Sequence, residues 1–347
     1  MTLNWIYQPS SVDSSQLVEQ IRHGKFWASV YINPGTSDRL NAIQQAIVRG
    51  DASAHSYVPA SAVTLVFDEG RNFNTMNGFV LPPIRAAIVV ASARYADYFQ
   101  SQASLITNPS QANVVAAVSL SNITHSPIGY TNMNIHPAAP FTSILATTLG
   151  YLFLWLITLS LVGMGIRITT PLAGKVKILD IVLIRMTNTI FNGLILSLIY
   201  SLCVLWFAEF HQAVPFIRFW MFNWLAAITF TVIISLFTIN LGALAQMALT
   251  LFLIVNLSAS STNLAIELQN GFYRIGYGLP LYHCFNAGRH LLFGSYTKLN
   301  VDIAVLFAYY FAAVILTITT GVYRMQKQQR DIVRNQSKDL QRSSSHE

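Results

Sequence analysis

The sequence predicts a membrane protein with about five transmembrane helices and an N-terminal α+β domain that lies outside the cytoplasm. Of its 347 residues, 53% are hydrophobic and only 10% are charged, whereas soluble domains carry about 25% charged residues. From residue 142 onward the chain contains five long apolar runs. Residues 1–140 instead alternate strand-like and helix-like patterns, which is typical of a water-exposed domain.

Residues 1–140 are predicted to form an incomplete α+β domain in the order β-α-β-α-β. In Lys25–Ile32, the side chains alternate with the period of two that indicates a strand. Pro34 and Gly35 then break the strand, and Ser37 is a suitable cap for the next helix. We further expect a second strand at Ser61–Asp68, an amphipathic helix at 78–104, a third strand at Asn113–Ser121 and a turn-rich connector at His125–Pro140.

Residues 141–323 are predicted to form the transmembrane domain. A helix needs about 20 apolar residues to cross a hydrocarbon core that is about 30 Å thick. Five such runs follow one another without a charged residue in the middle, which argues against buried helices of a soluble core. The predicted spans are 142–166, 186–208, 219–239, 242–262 and 302–322, of which the third and fourth form a helical hairpin.

The distribution of Lys and Arg predicts the orientation in the membrane. The loop between the first two spans carries a net charge of +3, and so does the basic tail at 324–347. Short segments that are rich in Lys and Arg stay in the cytoplasm. Five spans therefore place the tail in the cytoplasm and residues 1–140 outside it.

Three stretches of the chain have a recognisable order of residues: Gly24–Leu40, Ser56–Pro82 and Gly278–Gly294. They resemble fungal nitrosoguanidine-resistance membrane proteins, which are distant relatives of phage-infection proteins and ABC-2 type permeases. The resemblance implies a multi-pass protein of the plasma membrane that acts in resistance to toxic compounds, with a link to phospholipid distribution. That family has a further span near the N-terminus, so we expect that an upstream first helix is lacking here.

The sequence carries no motif for a catalytic, cofactor or metal site. It contains no G-x-x-x-x-G-K-[ST], H-E-x-x-H or G-x-S-x-G, and its two cysteines form no C-x-x-C or other Cys/His motif that predicts a zinc site. The basic excess lies in the membrane half, which favours topology signals over nucleic-acid binding. We expect a protein that is not an enzyme, and any transport would need a partner subunit or a gradient.

Polar side chains inside the predicted spans are candidate substrate contacts. Asn188 and Asn192 lie close to one face of the second span, and Asn256 lies in the hairpin. Two interpretations stay open. These groups form hydrogen bonds between helices, or they line a route for a phospholipid headgroup or a hydrophobic drug.

The segment 267–298 is too polar to span the membrane and too apolar for a free loop. We predict a re-entrant or interfacial element on the outer side. Arg274 and Arg289 are candidate contacts for lipid phosphate groups. Alternatively, they pair with Glu267 and Asp302 or extend towards water.

Two hypotheses about function follow. The first is a permease-like transporter in xenobiotic resistance or phospholipid organisation, acting alone, as a homo-oligomer or with a partner subunit. The second is a membrane scaffold or sensor whose outside domain binds another protein. In that domain, the Asn-Ile-Thr sequence at Asn122 is a predicted N-glycosylation site.

Overall fold

A computed structural model divides the chain into two compact units, Met1–Ala138 and Ala139–Glu347. The predicted third strand at Asn113–Ser121 and the sequon at Asn122 lie outside the residues that the structure describes. The described residues are 3–9, 12–49, 57–103, 125–138, 144–172, 175–176, 178–208, 215–260 and 264–344.

The N-terminal unit contains a three-stranded sheet in the order β1-β2-β3. Strand β1 (Ala28–Ile32) runs antiparallel to β2 (Val63–Phe67), with Val30 opposite Leu65. Strand β3 (Tyr130–Asn134) runs parallel to β2 on its other side. Leu65 in the central strand is fully buried, because a central strand is shielded by neighbours on both edges.

Helices cover this sheet. Helix α1 spans Ser14–Arg22 and α2 spans Thr36–Arg49. Helix α3 (Leu81–Ala103) continues a helical run that begins at Phe73 and includes a π-helical turn at Met76–Val80. In α3, Ile84 and Ile88 pack into one cluster with strand β2, so this helix completes the core of the unit.

The structure corrects two predictions in this unit. Strand β3 lies within His125–Pro140, which was predicted to be a connector. Its sequence, Tyr-Thr-Asn-Met-Asn, lacks alternating apolar residues, and its central three residues are exposed. Helix α1 lies in a Ser/Gln-rich stretch for which no element was predicted, and it buries only Leu17 and Ile21.

The second unit is a bundle of helices. Five helices of the chain are long and apolar enough to cross a membrane, which confirms the predicted helical membrane class. One of them, Phe73–Tyr98, belongs to the N-terminal unit. The elements of the bundle are α4 (Gly150–Thr169), α5 (Ile178–Ala208), α6 (Phe216–Leu241), α7 (Ala245–Ser258), α8 (Pro280–Phe293) and α9 (Leu299–Ser344).

Helices α6 and α7 form one apolar run, Phe216–Ser258, that folds back on itself. Gly242 ends α6 with φ 53°, a value that favours glycine. After the turn, the Phe252 ring lies 5.6 Å from that of Phe237 and 5.8 Å from that of Trp155. The two helices therefore pack as the hairpin that was predicted at 219–262.

Helix α8 marks one end of the bundle. Gly288 contacts Tyr151 at the start of α4, Leu281 contacts Asn256 near the end of α7, and His283 contacts Asp302 in the first turn of α9. Ten of its fourteen residues are buried. The predicted interfacial element is thus packed among other helices, because its apolar side chains face several neighbours at once.

Candidate ligand-binding groove

A groove of about 130 Å³ lies between helices α4, α5, α6 and α9. Most of its wall is apolar, and a few polar side chains project from it, which is the usual composition of a small-molecule site. Its lining includes Val162 and Gly165 from α4, Arg185, Asn188, Thr189 and Asn192 from α5, Thr231 and Ser235 from α6, and Tyr310 and Thr317 from α9.

The groove contains two of the asparagines that were predicted as substrate contacts. The Asn192 side-chain amide donates a hydrogen bond to the side-chain oxygen of Asn188, one turn earlier, at 2.6 Å. Asn188 is exposed, and its side-chain amide lies next to Gly165 of α4. The helical spacing predicted that these two side chains share a face of the second span, and in the structure they are hydrogen-bonded to each other.

Arg185 is a site residue that sequence reasoning missed. It was predicted to lie in the loop before the second span, but α5 begins at Ile178 and carries Arg185 into the groove wall. Its Nε and Nη2 donate to Thr169 Oγ1 at 2.9 and 2.6 Å. A signal was present in the apolar residues before Arg185, which extend the helix towards its N-terminus.

Hydroxyl groups from α6 and α9 complete the polar part of the groove. Thr231 and Ser235 each donate to a carbonyl oxygen four residues earlier, at 2.7 and 2.8 Å. The Thr317 hydroxyl is buried and finds no hydrogen-bond partner within the described part of the chain. No local sequence pattern links these residues to α5, because they are far apart in the chain.

A second polar set on α5 forms buried hydrogen bonds between helices. Tyr151 Oη donates to Asn223 Oδ1 at 2.9 Å, and the Asn223 side-chain amide donates to Ser201 Oγ at 2.9 Å. Ser201 Oγ in turn donates to the carbonyl of Ser197 at 2.7 Å. Because these serines follow Asn188 by nine and thirteen residues, they lie on the opposite side of the helix from the groove. The two interpretations thus apply to different sides of α5: one side lines a groove, and the other links helices.

The other candidate contacts lie at the α8 end of the bundle. Asn256 is 1% exposed, donates to the carbonyl of Phe252 and accepts from the Leu281 amide. Arg274 is exposed, and its contact with lipid phosphate stays a prediction. Neither residue lines the groove.

Arg289 differs from its predicted surface position. It is 6% exposed because α8 is enclosed by other helices. Burial lowers the pKa of Arg289 to about 10, and nearby Tyr282 and Glu267 oppose that shift. A contact between Arg289 and the lipid surface is therefore not available in this arrangement.

Asp302, predicted as a partner for an arginine, pairs with His283 instead. Their Nδ1–Oδ1 distance is 2.7 Å, and His283 Nε2 lies 2.9 Å from the carbonyl oxygen of Tyr277. Both ring nitrogens of His283 thus lie within hydrogen-bond distance of an oxygen atom. Thr297 Oγ1 donates to the second carboxylate oxygen at 2.7 Å.

Residues 2–315 match the model of a family described as a protein of unknown function, DUF3533. The chain belongs to the DUF3533 family. No curated protein and no solved structure matches it. The DUF3533 match covers the described N-terminal unit and helices α4 to α8 in full, so the groove residues on α4, α5 and α6 all lie within it. The resemblance to nitrosoguanidine-resistance proteins stays a prediction.

Proposed function

We propose that this protein is a permease-like membrane protein whose groove binds an amphipathic compound and passes it across the membrane. The observation that carries this proposal is the meeting of Arg185, Asn188 and Asn192 in a largely apolar groove. Exposed Ile190 and Ile318 lie on the same lining. An amphipathic ligand would place its polar part among the asparagines and its apolar part against these isoleucines.

The cellular role that fits this chemistry is xenobiotic resistance, phospholipid organisation in the plasma membrane, or both. We propose that the N-terminal unit lies outside the cytoplasm and the C-terminal end of α9 inside it. We further propose that the chain catalyses no reaction and binds no cofactor. A partner subunit, a second copy or a gradient then supplies the energy for directed transport.

Reconstitution tests the transport hypothesis. Full-length protein in phosphatidylcholine liposomes, with an imposed proton gradient, is assayed for movement of NBD-labelled phosphatidylcholine and of rhodamine 6G. We expect the wild type to move at least one probe. Replacing both Asn188 and Asn192 with leucine removes two polar contacts and should slow that movement about tenfold.

The matched control is Gln246→Leu, which makes the same polar-to-apolar change at an exposed position of α7 outside the groove. Its rate should equal that of the wild type. Failure of the wild type to move either probe, or NBD-labelled phosphatidic acid in the same assay, would reject the permease hypothesis. Equal slowing in the control would show that the effect does not come from the groove.

A second candidate function is supported by the outer face of α3. Phe79 in the turn before α3 and Val89, Val90 and Tyr98 along it are between 44% and 61% exposed, while the opposite face packs on the sheet. Apolar side chains in such a row are typical of interaction surfaces. A scaffold or sensor would give no flux but would form a stable cross-linked complex through this face, which Val90→Asp should disrupt.

A further inference from the structure

We propose that the groove is selective for amphipathic anions and that Arg185 is the residue that binds their acidic group. This inference rests on the proposed function and names its class of ligand: a phosphate or carboxylate group attached to an apolar chain. Among the described residues that line the groove, Arg185 is the charged one.

Thr169 holds the guanidinium of Arg185 in place from one side. Its hydroxyl accepts from Nε and Nη2 of Arg185 and donates to the carbonyl of Gly165 at 2.8 Å. Thr169 is 4% exposed, so this anchor is part of the packed interface between α4 and α5. The arginine is therefore oriented before any ligand arrives.

The guanidinium keeps donors for a ligand. Arginine has five N–H groups in a planar fork, and Thr169 takes two of them. No acidic side chain forms a salt bridge with Arg185 in the portion of the chain that the structure describes. The remaining N–H groups match the geometry of a phosphate or carboxylate, which arginine binds with two parallel hydrogen bonds.

The surroundings of Arg185 suit the rest of such a ligand. Asn188 and Asn192 supply further polar groups on the same helix, and the Thr317 hydroxyl lacks a partner in the described residues. The acidic headgroup would lie next to Arg185 in the groove. The hydrocarbon chain would then extend past exposed Ile190 and Ile318 into the bilayer.

A simpler interpretation treats Arg185 as a topology signal that stays near the membrane surface. Arg167 provides the comparison, because it lies in the last turn of α4, is exposed and is outside the groove lining. Both arginines contribute one positive charge to the segment between the first two predicted spans. Of these two arginines, Arg185 lines the groove and Arg167 does not. A binding assay can therefore distinguish a role in ligand binding from a role as a topology signal.

The test measures binding to the full-length protein in phosphatidylcholine nanodiscs. Dodecyl phosphate is the anionic probe, dodecyltrimethylammonium is the cationic probe and dodecyl maltoside is the neutral one. We expect dodecyl phosphate to bind most tightly and to raise the Tm. Arg185→Gln should weaken its binding about tenfold or more, Arg185→Lys should weaken it less, and Arg167→Gln should leave it unchanged.

Two further arms identify the source of the ligand and exclude a folding defect. Inorganic phosphate tests for a free anion, and NBD-labelled phosphatidic acid tests for a lipid. Thr169→Val keeps the charge but removes the anchor of Arg185, so it should also weaken binding of dodecyl phosphate. Each variant must elute from size-exclusion chromatography like the wild type.

The outcomes separate this inference from the proposed function. If Arg185→Gln binds dodecyl phosphate as tightly as the wild type, or if the cationic probe binds better, the assignment of Arg185 is wrong. Flux of rhodamine 6G with no preference for anions would also reject it, but would leave the permease function intact. If Arg185→Gln loses anion binding but the wild type moves no probe, the transport hypothesis is rejected and the anion-binding site at Arg185 is retained.

Discussion

Close contacts at single residues show where the bundle tolerates no added atoms. A Cβ at Gly288 of α8 would lie 2.9 Å from Cε2 of the Tyr151 ring, closer than real Cβ atoms approach. Tyr151 cannot easily move, because it is fully buried and its hydroxyl is bonded to Asn223. The glycine thus sets the distance at which α8 packs on α4.

This contact leads to a prediction at the residue scale. Gly288→Ala should lower the free energy of unfolding by about 1–3 kcal/mol, the usual cost of overpacking a core. The change is measured by thermal unfolding of the purified protein, with size-exclusion chromatography as the readout. Gly163→Ala is the control, since nothing lies within 4 Å of its added Cβ. Equal stability of the two variants would contradict the packing argument.

At the element scale, the contact between His283 and Asp302 links α8 to the first turn of α9. Both side chains are at most 5% exposed, so they depend on each other and on Thr297 and the Tyr277 carbonyl for their polar contacts. Removing one member leaves the other buried without its partner, which is more costly than removing both.

A double-mutant cycle tests this link between the helices. We expect Asp302→Asn alone to cost about 3–5 kcal/mol of stability, and the double variant with His283→Gln to cost less than the sum of the single changes. Unfolding by SDS in mixed micelles provides the free energies. Lys298→Gln, at an exposed neighbouring position, should change little. Additive single effects would show that the two residues do not act as a pair.

Elements with strong local patterns were predictable from the sequence, and contacts between distant elements were not. Strand β2 and the helices of the bundle follow from alternation and from long apolar runs. Strand β3 was missed because its pairing with β2 fixes it, although it lacks a buried face. In the groove, spacing brings Asn188 and Asn192 together, but Thr317 reaches the groove only through the packing of α9, and Thr169 reaches Arg185 only through the packing of α4.

At the scale of the whole molecule, the charges and the helix directions favour one orientation of the bundle in the membrane. The starts of α4 and α9 and the end of α7 all contact α8, while Arg324 of α9 donates to the carbonyl of Asn240 at the end of α6. Arg324 and Arg167, which lies in the last turn of α4, are thus at the end of the bundle away from α8. Lys and Arg in short segments are retained in the cytoplasm.

We therefore expect an epitope tag near Trp5 to react with antibody in intact cells. A tag after Arg342 should react only once the cells are permeabilised. Fluorescence of both tagged proteins at the plasma membrane controls for mislocalised material. The reverse pattern of accessibility would overturn the orientation and, with it, the assignment of α8 to the outer side.

Helix α9 runs without interruption over 46 residues. At 1.5 Å per residue it is about 69 Å long, more than twice the about 30 Å of a hydrocarbon core. Its N-terminal half carries Tyr310, Val314 and Thr317 into the groove wall. Because the helix continues without a break from there to Ser344, we expect a displacement of its C-terminal end to move the groove wall as well.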